Sequence, residues 1–136
     1  MRQLSGTVIQ AFEQKGLKLV GLKMMVMERA LAEQHYAEHQ GKSFFPGMVD
    51  FIVSGPIVAM VLEGPGAIKA VRDLMGATNP QDAAPGTIRG SLAVDITRNV
   101  VHGSDSPESA SREIGLFFRP EELVSYVRPV DGWLSE

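Results

Sequence analysis

Apolar and polar positions alternate along this chain at two different periods, and the switches between them lay out its elements. Val8, Ile9 and Phe12 fall on one face at helical spacing. With Ser5 where an N-cap belongs and Gly16 where a helix stops, residues 6–15 are expected to form a helix. Residues 17–26 carry branched and long apolar side chains interrupted by Lys18 and Lys23, which reads as a strand. Its methionines, with Met27, should fill core or interface gaps. Residues 29–39 are helical by composition, with Leu31, His35 and His39 on neighbouring turns and Gly41 as the stop. Ser43-Phe44-Phe45-Pro46-Gly47 then reads as a turn whose two aromatics make an exposed clamp, followed by a short helix over 48–54.

The second half follows the same grammar. Residues 56–63 form a continuous apolar run that predicts a central strand buried on both faces. A helix is expected over 67–75, and residues 77–90 form a long loop rich in Pro, Gly, Asn and Asp that carries Thr78 and Arg89. Loops of that length in compact domains tend to be functional. Residues 99–101 read as a buried strand delivering His102, and Ser106 with Pro107 opens a helix over 107–118. A turn over 121–126 and an irregular tail with Trp133 close the chain. Strands alternating with helices, without linker or repeat, predict one domain in which helices cover a small sheet.

Composition narrows the partners. A chain of 136 residues suits one domain, and no apolar run approaches the length of a membrane span. There is no cysteine, and the N-terminus lacks the apolar core of a signal peptide, so a cytoplasmic location is expected. A net charge of -3 without a basic block argues against duplex nucleic acid as the main partner. Isolated arginines can still hold a small anion.

The candidate chemistry centres on His102. The imidazole precedes Gly-Ser-Asp-Ser and a helix N-terminus, which favours anions. Glu113, on that helix, could fold back to hold one ring nitrogen and leave the other as nucleophile, or could simply pair with Arg112 or solvent. Arg72, Thr78 and Arg89 suit a polyphosphate, because a guanidinium binds phosphate through a planar fork. Gly64-Pro65-Gly66 leads into Ala67 with no Gly-Lys-Ser/Thr anywhere, so a Walker-type phosphate loop is excluded. His35 and His39 have a metal-chelating spacing but lack the order of zinc proteases, and no metal site is expected there.

Longer motifs point to a family. Asn99-Val100-Val101-His102-Gly103-Ser104-Asp105-Ser106, preceded by Pro85-Gly86-Thr87-Ile88-Arg89-Gly90 and by Gly76-Ala77-Thr78-Asn79-Pro80, closely resembles nucleoside diphosphate kinase. Phe44-Phe45-Pro46-Gly47 and residues 54–61 match the same family in the same order. The resemblance implies a ferredoxin-like α+β sandwich with a small antiparallel sheet. It also implies ping-pong transfer of the terminal phosphate of a nucleoside triphosphate such as ATP to a diphosphate through a phosphohistidine. His102 matches the nucleophile, Glu113 the carboxylate that orients its ring, and Ser104 stands beside it. Arg72, Thr78 and Arg89 match phosphate-binding positions, Asn99 the sugar contact, and Tyr36 a residue packed near the histidine. Phe44 matches the aromatic under the base, with Met48 at the usual leucine position across it. Stacking tolerates any base, so broad base specificity follows. Mg2+ is expected on the nucleotide phosphates rather than on protein ligands. A homo-oligomer, hexamer or tetramer, is the family's habit.

One departure accompanies the match. In the family a strand ending in Lys-Pro-Asp-Gly precedes the first helix, and Met1 stands just past that place. The single domain over 1–136 is therefore expected to be N-terminally truncated, with Met1 an internal methionine of a frame that starts one strand earlier. Without that strand, backbone groups on its neighbours lose partners at about 1–3 kcal/mol each, against a usual stability of about 5–15 kcal/mol. Activity weakened by the absent lysine is the corresponding expectation. The competing reading is a non-catalytic homologue that binds nucleotide or a protein partner.

Overall fold

The computed structural model describes residues 2–135. Helix α1 spans Ser5–Lys15, one residue earlier than the pattern suggests, because Leu4 rather than Ser5 takes the N-cap position. It ends as expected: Gly16 adopts φ 102° and the Leu17 amide donates back to the Phe12 carbonyl, a left-handed stop that suits a residue without Cβ. Strands β1 (Lys18–Val26) and β2 (Pro56–Glu63) pair antiparallel from Lys18 opposite Glu63 to Val26 opposite Pro56, with an irregularity between Leu19 and Gly21. Between them lie α2 (Arg29–His35), a 3-10 turn (Ala37–His39) and α3 (Phe45–Ile52). Beyond β2 follow α4 (Ala67–Met75), α5 (Ile88–Leu92), α6 (Pro107–Phe117) and α7 (Asp131–Leu134).

Three apolar clusters tie these elements together. Val8 and Phe12 of α1 meet Leu17, Met75 and Ile88 in the largest; Val20, Val61 and Phe118 form a second; Met27, Ala32 and Val49 form the third. The C-terminal segment lies over the sheet, where the Val124 amide donates to the Val20 carbonyl at 2.8 Å. This explains how two lysines fit in β1. Lys18 pairs with Glu63 at 3.3 Å, and Lys23 pairs with Glu122 at 3.1 Å while lying over the Phe118 ring, so each stem packs while its ammonium stays matched.

Several expectations are corrected. β2 is half-buried rather than buried on both faces, since the described residues form a sheet of only two strands, and Val61 alone on β2 is fully buried. Residues 99–101 are not a strand: the described residues offer no strand alongside, and the Val101 amide instead donates to the Asn99 carbonyl across Val100 at φ 73°. The expected loop over 77–90 contains a 3-10 turn (Pro80–Asp82) and the start of α5, where Thr87 accepts from the Gly90 amide as an N-cap. The helix expected over 29–39 breaks after His35. α3 begins at Phe45, with Pro46 in its first turn, so only Phe44 of the aromatic pair is exposed and Phe45 packs into the third cluster. The tail containing Trp133 closes into a short helix. Among the described residues no helix is long and apolar enough to cross a membrane.

Candidate active site

His102 stands on an irregular segment whose shape is imposed from outside. Val100 carries a positive φ, a conformation that a β-branched residue adopts only where its surroundings enforce it. Arg89 is the enforcing group. Buried to 4 % exposure on α5, it donates from Nη2 to the Val101 carbonyl at 2.7 Å, from Nε to the Asn99 carbonyl at 3.3 Å and from Nη1 to the Gly76 carbonyl at 3.3 Å. Those bonds bracket the strained residue on both sides. Burial, then the charge of Arg72, lowers the Arg89 pKa from its ordinary value. Two N–H groups of its fork remain beyond the three that hold carbonyls.

On the other side of the histidine, Arg72 of α4 donates from Nη1 to the Gly103 carbonyl at 3.1 Å. Gly103 is packed closely: a Cβ there would lie 2.5 Å from Met75 Sδ and 3.3 Å from Val71 Cγ1, so the Met75 side chain would have to shift. Both arginines expected to face phosphate therefore also fix the backbone around His102. Asn99 donates its amide to the Thr78 carbonyl at 3.1 Å, and Thr78 itself is exposed.

Ser106 caps α6 by accepting from the Ser109 amide at 3.1 Å, with Pro107 in the first turn as the sequence suggests. That start sets the phase of the helix and brings Glu113 back onto His102, Oε1 and Oε2 lying 3.1 and 3.2 Å from Nε2. Ser104 Oγ donates to the same carboxylate, and Arg112 Nη2 lies 3.7 Å away, so Glu113 touches the imidazole and Arg112 together. Burial alone would raise the Glu113 carboxyl, but hydrogen bonds from His102 and Ser104 and the charge of His102 outweigh it and hold the pKa at about 2. The carboxylate is ionised throughout the neutral range.

Sequence reasoning missed His35. Spacing pairs His35 only with His39, whereas the break after α2 sends the two apart, His39 to the exposed Phe44 ring at 5.4 Å and His35 inward. The His35 ring meets His102 edge-on at 4.7 Å, Tyr36 at 4.6 Å and Phe117 at 5.2 Å. Tyr36 thus reaches the histidine through its neighbour in the chain. Burial first, then the charge of His102, pulls the His35 pKa from 6.5 to about 4. Burial, then the charge of Glu113, raises the Tyr36 phenol. Met48 is half-buried on α3, the helix that Phe44 precedes.

An α+β domain carrying a carboxylate-held imidazole with two guanidiniums beside it belongs among proteins that handle phosphate. Comparison with known proteins narrows that class. The nucleoside diphosphate kinase family description matches residues 1–123. The nucleoside diphosphate kinase of Desulforamulus reducens is 60% identical over 135 residues, covering 99% of this chain and 91% of that protein. That of Thermosynechococcus vestitus is 61% identical, with 99% and 90% covered. Among solved structures, a halophilic nucleoside diphosphate kinase from Halobacterium salinarum in complex with CDP superimposes with a TM-score of 0.97 at 51% identity, covering 99% of this chain and 90% of that one. A family protein from Babesia bovis gives 0.96 at 46%, with 98% and 90% covered. The chain belongs to the nucleoside diphosphate kinase family; it has that family's ferredoxin-like α+β fold and is a phosphotransferase.

Proposed function

We propose that the chain, acting as one domain, moves the γ-phosphate of ATP to a nucleoside diphosphate in two half-reactions through a phosphohistidine on His102. The observation that carries this reading is the contact of Glu113 with Nε2. A neutral imidazole has one protonated nitrogen, and an ionised carboxylate at Nε2 keeps the proton there. Nδ1 is then the nitrogen with a free lone pair. It attacks the γ-phosphorus as the bond to the leaving diphosphate oxygen breaks, and Glu113 offsets the positive charge that grows on the ring. A second nucleoside diphosphate takes the phosphate by the reverse path.

The other residues supply position and charge. Arg72, Arg89 and Thr78 face the phosphates in this reading, Asn99 the sugar, and Phe44, exposed at 50 %, offers a ring for any base with Met48 across from it. Tyr36 and Ser104 keep the ring and its carboxylate in place. The CDP bound by the Halobacterium salinarum relative supports a nucleotide as ligand. The donor set of the site, two guanidiniums, imidazole nitrogens and one carboxylate already engaged, is no cage for a hard oxygen-seeking cation. It fits Mg2+ carried in on the phosphate oxygens, where the ion neutralises charge. Exposed apolar side chains on β1, namely Leu22, Met24 and Val26, support a homo-oligomer, and we place the protein in the cytoplasm.

Incubation with γ-labelled ATP and intact-mass measurement tests the proposal. One acid-labile phosphate is expected on the native chain and none on His102→Ala. A chain that takes up no phosphate, while still binding nucleotide, would instead be the non-catalytic homologue.

A further inference from the structure

We propose that His35, His102 and Glu113 form a binding site for a divalent transition ion of the zinc class, and that filling this site blocks the His102 nucleophile. The binding stands on geometry alone; the blocking rests on the function proposed above. One ligand atom from each of the three residues lies within 4.8 Å of the other two. Tetrahedral coordination at metal–nitrogen distances of about 2.0–2.1 Å puts ligand atoms about 3.4 Å apart. One edge of such a face already exists, since His102 Nε2 stands 3.1 and 3.2 Å from the two Glu113 oxygens. The remaining contraction falls on His102, whose side chain is half exposed.

His35 gives a second and independent sign. It is buried to 4 % exposure, and its Nδ1 has no hydrogen-bond partner. Buried polar atoms are nearly always satisfied, and an unpaired one calls for a partner. Two imidazoles and a carboxylate make a donor set that suits zinc-class ions and not Mg2+. Ser104 donates to the carboxylate and would orient it as a ligand, whereas Arg112, 3.7 Å from the same group, opposes the ion's charge and moderates the affinity. A fourth position remains open to water.

The block follows from proton accounting on one ring. In the free enzyme the His102 proton sits on Nε2 and the lone pair on Nδ1. An ion that takes the Nε2 lone pair displaces that proton to solvent, and the neutral ring takes one up at Nδ1. No net proton is released, and the nucleophilic nitrogen is capped. Chelation of the ion restores the original tautomer.

Cobalt chloride titrated into the full chain reads the site directly, because tetrahedral cobalt absorbs visible light far more strongly than the hydrated ion. Strong bands are expected for the native chain, with apparent affinity at least about tenfold weaker in His35→Gln and in His102→Gln. The second variant alters an exposed side chain, so it keeps the test sound if the buried change unfolds the chain. Absence of the bands at millimolar cobalt, or their retention in either folded variant, would overturn the site. In parallel, zinc chloride should inhibit phosphate uptake from ATP reversibly, and His35→Gln should weaken the inhibition at least about tenfold. Cobalt bands with this dependence in a chain that never becomes phosphorylated would sink the proposed function and leave the metal site standing. Phosphorylation insensitive to zinc on a chain that binds cobalt would overturn the blocking.

Discussion

Glu113 meets His102 with both carboxylate oxygens at nearly equal distance from Nε2, 3.1 and 3.2 Å, while taking a third bond from Ser104. A symmetric, charged acceptor of this kind fixes the ring's tautomer as well as its direction. Glu113→Gln keeps the shape and loses the charge, and the neutral amide can offer an N–H where only acceptors stood. The turnover rate should fall by at least about tenfold with little change in KM, because the lost interaction strengthens only as charge builds on the ring. Ser104→Ala should lower it less. Steady-state kinetics on both variants checks the order, and an unchanged rate in Glu113→Gln would remove the carboxylate from the mechanism.

Arg89 should be as important to folding as to chemistry. Arg89→Met leaves the carbonyls of Gly76, Asn99 and Val101 without their donor in a buried setting, at a cost of about 2–4 kcal/mol. Arg89→Lys should recover little of it, since an ammonium cannot span three acceptors in a plane. Thr78→Ala, at an exposed position, should stay within about 0.5 kcal/mol of the native chain, so its effect on rate reads substrate contact alone. Urea unfolding midpoints separate these outcomes.

Acid should weaken the fold in two steps of the same sign. Above pH 6.5 His35 is neutral in both states and contributes no pH dependence. Between 6.5 and about 4 the unfolded chain takes up a proton that the buried imidazole refuses, so stability falls with pH by up to about 2–3 kcal/mol, less whatever solvent screens. Glu113 acts lower down: its contribution is full above its ordinary value of 4.5 and is lost as pH falls toward about 2. In His35→Gln, midpoints measured at about pH 7.5 and about pH 5 should lie closer together than in the native chain. An equally steep drop would place the acid sensitivity elsewhere.

Phe44 offers a test of base recognition with little structural cost. It precedes α3 with half of its surface exposed, and its ring contacts only the edge of His39 and the ammonium of Lys42 among the described ring and cation partners. Phe44→Ala should leave the unfolding midpoint nearly unchanged and raise KM for purine and pyrimidine nucleotides alike, by an amount equivalent to about 1–3 kcal/mol of stacking. Phe44→Trp should restore affinity. A loss confined to one base would mean that the ring selects rather than merely supports.

What could be read from the chain was whatever local chemistry controls. The stop at Gly16 and the cap at Ser106 follow from a few neighbouring residues, whereas the residues alone leave Glu113 open between His102 and Arg112, and only the family resemblance sets it on the imidazole. What could not be read depends on distant partners. Val100 and Val101 look like strand residues, yet strand character needs a neighbour to pair with, and the described residues supply an arginine instead. Arg89 lies in an apparent loop and reads as a phosphate ligand, because nothing local announces that its guanidinium is buried against three carbonyls. His35 is masked by its spacing: four residues from His39 it looks like one of a helical pair, yet the helix ends between them.

The bracing of the His102 segment sets how the catalytic geometry would tolerate change. A nucleophile carried on a strand inherits its aim from many ladder bonds, any one of which is expendable. Here the aim passes through two guanidiniums, Arg89 on the five-residue helix α5 gripping the backbone before and after a strained residue and Arg72 on α4 holding the Gly103 carbonyl. Precision of that sort is all or nothing. Substitutions in the two-stranded sheet should leave the imidazole pointing where it does, whereas a small tilt of α5 would swing it off line.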